Sequence, residues 1–218
     1  MSLSEYFPIW PQLTSQEREI LERAAVVRSE KRGTILHYGA ADCIGLFVLR
    51  SGQLRAFLLS ESGREITLYR LFDRDICLFS ASCMLPNIQF DVMVEAETDS
   101  TFWVIPTAAY QQVTASSAAA ANFTNQLMAS RFTEVMWLVD QVLSKSFDAR
   151  LAEFLLEERR IEGGDTLSLT HDKIARHLGT AREVVTRMLR YFQSEGMVAL
   201  SRGEITILDA EKLKRHVK

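Results

Sequence analysis

Cysteine is scarce in this 218-residue chain, and its spacing excludes more than its number does. Cys43, Cys77 and Cys83 form no CxxC pair, and an odd count argues against a disulfide framework or a complete four-thiolate cluster. Reduced thiols and no metal site are the expectation. No apolar run is long enough to span a bilayer, which excludes a membrane helix. The opening MSLSEYFPIW lacks a basic segment followed by an apolar core and a small-residue cleavage site, so no secretion signal is read and a cytoplasmic protein is expected. No nucleophile, base and orienting group recur in a recognisable catalytic pattern, so an enzyme is not expected. Proline and glycine are both missing between Ala115 and Leu143, so one helix of many turns is expected there.

What is present is enough for a real core. A chain of this length with 47% hydrophobic residues reads as one large or two modest globular domains. The net charge of −3 is unevenly spread: 11 basic and 16 acidic residues precede Leu143, while 14 and 12 follow it. A mildly basic C-terminal part beside an acidic N-terminal one leaves a local footprint for phosphate without strong nonspecific attraction.

The most informative stretch is LTHDKIARHLGTAREVVTRML, Leu169 to Leu189. Ile174, Ala175 and Leu178 recur at helical spacing, Thr170 can cap the start, and Gly179 can take the left-handed conformation that ends the helix. A second helix opens at Thr180 or Ala181, with Val184, Val185, Met188 and Leu189 as its apolar stripe. Arg182, Glu183, Thr186, Arg187 and Arg190 are left toward solvent on its first turns. This reads as a helix-turn-helix whose second helix meets base edges in double-stranded DNA. Gly196, two short β-prone runs and a tight turn at Ser201, Arg202 and Gly203 follow, which reads as a wing. Lys173, Arg176, Arg182, Arg187 and Arg190 stand against Glu183 alone between Lys173 and Arg190, the local excess that phosphate contact needs.

Upstream, LTSQEREILERAA suggests a helix from Leu13 to Ala25, with Thr14 and Glu17 in capping-box register. Between Gly33 and Ile105 the period changes to two, in short β-rich runs broken at Gly39, Gly45, Gly52 and Gly63. Many short strands at regular spacing imply an antiparallel barrel of the jelly-roll kind. From Ala115 to Leu143 one long helix is expected. Met128, Phe132, Val135, Val139 and Val142 repeat with the alternating steps of a two-stranded seam and predict a homodimer interface. Phe147 and Asp148 would form a hinge before the helix ARLAEFLLEERR. The expected fold is therefore α+β: a sensor barrel over residues 1–114, a dimerisation helix and hinge over 115–146, and a winged helix-turn-helix over 147–218.

Barrel, long helix, hinge and winged helix-turn-helix in this order resemble the CRP/FNR family of bacterial transcription regulators. The resemblance covers nearly the whole chain, and GTILHYGAADCIGLFVLRSGQLRAF and AREVVTRML carry it most specifically. The family's cyclic-AMP-responsive members carry Arg-Glu followed four residues later by Arg on the recognition helix, which Arg182, Glu183 and Arg187 match. The resemblance thus implies base readout by these three at TGTGA-like half-sites of an inverted repeat. Thr170, Lys173, Thr180, Thr186, Arg190 and Arg202 would meet the DNA backbone, and RNA polymerase would be a partner.

A cyclic-nucleotide site in this family needs Gly-Glu and then Arg-Ser. Counted back from the barrel end, those positions hold Phe79 and Ser80, then Phe90 and Asp91, while the hydroxyl pair that meets adenine falls on Val135 and Met136. A carboxylate where a guanidinium is needed repels phosphate, so cyclic AMP is not expected and no cofactor is assigned. Three sensor readings stay open. An unknown hydrophobic effector could occupy a pocket lined by Phe79, Ser80, Cys83, Phe90, Asp91, Met128, Phe132 and Met136. Cys77 and Cys83 could be redox-active. His37 could ligate haem, although a single histidine on a strand is more often simply hydrogen-bonded. His171, His177 and His216 fall in the DNA module, where phosphate contact or solvent exposure would account for them. The alternative to a transcription regulator is a ligand-binding or redox-sensing barrel whose C-terminal module docks protein.

Overall fold

The computed structural model describes residues 2–39, 44–78, 80 and 91–217. The helix expected near the N-terminus is α1 (Ser15–Ala24), fixed by the reciprocal cap: the Glu17 N–H donates to Thr14 Oγ1 at 3.3 Å, and the Thr14 N–H donates to Glu17 Oε2 at 2.8 Å. Strands β1 (Val26–Glu30), β2 (Ile35–Tyr38), β3 (Leu46–Ser51), β4 (Leu54–Leu59), β5 (Glu65–Leu71), β6 (Ile76–Cys77), β7 (Val92–Ala96) and β8 (Ser100–Ile105) follow. They form two four-stranded sheets, ordered β1-β8-β3-β6 and β2-β7-β4-β5, the jelly-roll arrangement that the strand spacing predicts.

The alternation along β3 shows why this sequence makes that layer. Phe47 and Leu49 point into the space between the sheets with Leu54, Ala56, Val94 and Phe102, while Leu46 and Val48 point the other way onto Phe7, Leu21, Ile105 and Tyr110. A strand covered on both faces must be apolar at every position, and LFVL is. Gly52 closes the turn between β3 and β4 at φ +96°. A Cβ there would lie 2.4 Å from Ser100 Oγ and 2.6 Å from the Asp99 carbonyl oxygen, so no other residue fits.

The helical region departs from one uninterrupted element. Helix α2 (Thr107–Ser116) stops at Ser117, whose extended backbone (φ −111°, ψ 110°) breaks the chain before α3 (Ala118–Ser144) begins. The Ala120 N–H donates to Ser117 Oγ at 3.4 Å, so a serine acting as a cap does what a glycine or proline was expected to do. Tyr110 and Thr124 hydroxyls, 2.8 Å apart, then tie the two helices together.

Helix α4 (Phe147–Glu162) is capped by Gly163 at φ +71° and leads through β9 (Thr166–Leu167) to α5 (His171–Leu178) and α6 (Arg182–Ser194). Strands β10 (Val198–Ser201) and β11 (Glu204–Ile207) pair antiparallel, β9 adds to β11, and α7 (Ala210–Val217) ends the described chain. The break before α4 falls at Lys145 and Ser146, just upstream of the Phe147–Asp148 position read as a hinge. The chain divides into two compact units, residues 1–59 with 68–135 and residues 60–67 with 136–218, so the division falls within α3. Among the described residues, no helix is long and apolar enough to cross a membrane.

Candidate nucleic-acid interface

Helix α5 starts where Thr170 Oγ1 accepts the Lys173 N–H at 3.1 Å and ends at Gly179 with φ +67°. Its Ile174 and Ala175 enter a core with Leu151, Leu155, Leu169 and Leu213. Helix α6 begins at Arg182 and sends Val185, Leu189 and Phe192, at steps of four and three, into the same core with no exposed surface. That buried stripe fixes the rotation of α6 about its axis. Glu183, Arg187 and Arg190 are consequently left on the opposite side, and Arg182, in line with Val185 but one turn before it, is exposed at the start of the helix. The wing forms as read: β10 and β11 meet through Arg202 and Gly203, with Gly203 at φ +80° and Arg202 exposed.

Side chains between α5 and α6 make a network that no local sequence pattern reveals. Thr186 Oγ1 lies 2.8 Å from His171 Nδ1 and donates to the Arg182 carbonyl at 2.9 Å. Arg182 Nη1 is 3.7 Å from Asp172 Oδ2, an exposed pair of little energetic weight. Thr186 is therefore engaged within the unit, and Thr170 serves as a cap. Thr180 is half-buried, its N–H donating to the Ala175 carbonyl at 3.1 Å, and Lys173 has an interaction of its own. Burial holds the His171 imidazole below its usual pKa; Arg182 and Arg190 add to that effect and Asp172 opposes it. His177, expected at a phosphate or in solvent, is instead buried, with Nδ1 2.9 Å from Thr67 Oγ1 and its ring 5.2 Å from that of Phe154. His216 packs on the Phe192 ring at 5.5 Å and meets Asp148 at 3.4 Å, a structural role.

Along α3, the residues read as a seam divide. Phe132 (67% exposed), Val139 (42%) and Val142 stand in solvent, joined by Met136, Trp137 and Leu143 (81%), whereas Met128 packs on the barrel's own core and Val135 is half-buried. Phe132 and Met136, also read as pocket lining, are thus exposed in the single chain. Besides Met128, α3 turns Arg131 inward, which a hydrophobic period passes over because a charged residue looks like a solvated position. Its Nη1 donates to both carboxylate oxygens of Glu134 at 2.8 and 2.7 Å, its Nη2 reaches the Ile76 carbonyl at 3.4 Å, and its guanidinium sits 4.4 Å from the Tyr69 ring centre. Its Nε is buried without a hydrogen-bond partner among the described residues.

Cys77 adjoins this cluster. Burial pushes its thiol up, against the hydrogen bonds from Ser80 and Tyr69 that favour the thiolate, and burial also pushes the Tyr69 phenol well up. A buried neutral thiol is a poor redox nucleophile. Ser80 is fully buried and donates to the Cys77 carbonyl at 3.0 Å, Asp91 is exposed, and His37 is fully buried on β2 with an interaction of its own. Phe79, Cys83 and Phe90 lie outside the described residues. Among the described residues, no group of three or more histidine, cysteine, aspartate or glutamate side chains is placed to hold a metal ion.

Residues 26–117 match the cyclic nucleotide-binding domain and residues 149–216 match the Crp-like helix-turn-helix domain. A crystal structure from Eubacterium rectale ATCC 33656, described as a transcriptional regulator of the Crp/Fnr family, is 53% identical. It covers 98% of this chain and 99% of its own, with a TM-score of 0.96. The fumarate and nitrate reduction regulatory protein of Yersinia pestis is 26% identical over 214 residues, covering 92% of this chain and 83% of its own. The global nitrogen regulator of Synechococcus elongatus is 25% identical over 194 residues, covering 85% and 86% respectively.

Proposed function

The chain belongs to the CRP/FNR family of transcription regulators, and on that premise we propose that it is an effector-responsive homodimer that reads an inverted repeat with TGTGA-like half-sites. Regulators of this family bind DNA through the helix-turn-helix and are not enzymes. The observation that carries the reading is the set Arg182, Glu183 and Arg187, exposed on the first turns of α6, whose rotation the buried Val185 and Leu189 fix. In this reading Arg182 and Arg187 donate to guanine O6 and N7, and Glu183 accepts from cytosine N4. Arg190 and Arg202 flank them toward the phosphates, with Thr170, Lys173 and Thr180 nearby.

The partner of the first protomer is a second copy. Phe132, Met136, Val139 and Leu143 recur along α3 at steps of four, three and four, the period of a two-stranded seam. Pairing α3 with its twin covers that apolar stripe and presents two recognition helices to successive major grooves. The signal enters through the barrel, where Arg131 couples α3 to Tyr69 and the Ile76 carbonyl. A ligand that alters this grip changes how the two α3 helices pack, and the break at Lys145 and Ser146 passes the change to the winged modules. Cyclic AMP is not that ligand, because Asp91 stands where a guanidinium would neutralise its phosphate. RNA polymerase is the further partner by family resemblance.

The test is a pair of duplexes, one carrying an inverted repeat of TGTGA-like half-sites and one with a single half-site, titrated at fixed salt. The dimer binds the full repeat more tightly, and affinity falls steeply with added salt as counterions are released. Equal affinity for both duplexes overturns the inverted-repeat reading, and salt-independent binding overturns the phosphate contacts.

A further inference from the structure

The hydrogens between His171, Thr186 and Arg182 can be placed by counting donors. Thr186 has one hydroxyl proton and two neighbours within bonding distance, the Arg182 carbonyl at 2.9 Å and His171 Nδ1 at 2.8 Å. The carbonyl cannot donate, so it takes the hydroxyl proton. Both contacts are then satisfied only if His171 Nδ1 carries the hydrogen and donates it to Thr186 Oγ1. The second ring nitrogen, Nε2, has no hydrogen bond among the described residues, and His171 is half-buried at the first position of α5, beside Thr170. Arg182 and Arg190 approach the ring from α6, and exposed Asp172 from its own helix. In the free protein partial burial, with the two arginines, outweighs Asp172 and disfavours a second proton on the ring.

From this geometry we infer that His171 is a proton-linked DNA contact: Nδ1–H holds α6 against α5 through Thr186, while Nε2 takes a proton from solvent on binding and donates it to a backbone phosphate. The inference rests on the helix-turn-helix being the DNA-contacting face. Phosphates approaching this face pair with Arg190, which lessens the repulsion on the ring, and add negative charge beside it. The imidazole then holds its proton more tightly in the complex than in the free protein. The sign follows from linkage: affinity is greatest at acid pH, flat below the free-state pKa, and lost as pH rises through the bound-state value. A tenfold gain in the ring's proton affinity on binding is worth up to a tenfold gain in DNA affinity per protomer. His171 is thus a positioning residue toward the base-reading helix and a contact residue toward the phosphate.

The experiment measures fluorescence anisotropy of a labelled duplex carrying the inverted repeat with the full-length protein at about pH 6 and about pH 8 at constant ionic strength, an interval that spans the ordinary imidazole value. Wild type loses roughly tenfold or more in affinity across it. His171→Asn keeps a donor at the Nδ1 position but nothing that titrates, so it still binds and its affinity no longer changes with pH. Thr186→Val keeps the titrating ring and the pH dependence but narrows the preference for a specific over a random duplex, because α6 is less firmly held. Circular dichroism shows whether each variant is folded. Wild-type affinity independent of pH, or an undiminished pH dependence in His171→Asn, overturns the role of His171 alone. Failure of the wild type to bind any duplex at either pH overturns the DNA-binding reading with it.

Discussion

The α3 seam can be broken without touching the fold of a single chain, because its residues are already exposed. Phe132→Glu with Val139→Glu is the decisive pair. Full burial of such a side chain contributes roughly 1.5–3 kcal/mol; scaling by the exposed 67% of Phe132 and 42% of Val139 gives about 1–2 and about 0.6–1.3 kcal/mol. Two-fold symmetry doubles their sum to roughly 3–7 kcal/mol per dimer, or about two to five powers of ten in the dissociation constant. Each buried glutamate without a partner adds a further cost of several kcal/mol. Glutamate is a good helix former, so α3 itself persists. Light scattering at micromolar concentration then reports a monomer with native circular dichroism, and that monomer binds the inverted repeat poorly. A dimer mass unchanged from wild type refutes the seam.

Three other perturbations probe the barrel and the core of the helix-turn-helix. Calorimetry finds no saturable binding of cyclic AMP or cyclic GMP at micromolar concentration; tight binding that activates DNA recognition contradicts the placement of Ser80 and Asp91. Leu189→Ala removes a fully buried side chain from the base of α6 and lowers stability by roughly 2–5 kcal/mol in denaturant titration, with a loss under about 1 kcal/mol contradicting its place in the core. Cys77, buried with its thiol pushed up, resists alkylation at neutral pH until the protein unfolds. Because the raised thiol and the raised Tyr69 phenol stay protonated in the folded state, stability is intact below the ordinary thiol value and falls as pH rises above it; a stability that instead increases above that point contradicts their burial.

Local rules in the chain carry most of the architecture. Thr14 with Glu17, Thr170 with Lys173, and the glycines at 52, 163, 179 and 203 behave as their chemistry dictates, since caps and left-handed turns depend on a few neighbouring residues. What escapes depends on partners far apart in sequence. Ser117 interrupts the long helix although alanine-rich flanks argue for continuity, because a serine cap is silent in a hydrophobic period. Heptad spacing picks Met128 and Val135 for the seam, yet Met128 packs on the barrel's core, while Met136 and Leu143, which the spacing passes over, are exposed. Arg131 is invisible as an interior residue, since its burial is made tolerable by Glu134, the Tyr69 face and the Ile76 carbonyl together. The contact between His171 and Thr186 spans 15 residues and two helices, beyond the reach of any periodicity.

The central claim is that α6 reads bases through Arg182, Glu183 and Arg187, and selection of binding sites from a random DNA pool tests it most directly. Wild type enriches an inverted repeat with half-sites about one helical turn apart. Glu183→Ala relaxes one base pair of each half-site, and Arg187→Ala loses roughly 1–3 kcal/mol on the preferred site with far less effect on random DNA. Arg202→Ala instead weakens all sequences alike and flattens the salt dependence. A wild type that enriches no inverted repeat, or an Arg187→Ala variant that enriches the same motif with undiminished preference, contradicts the account.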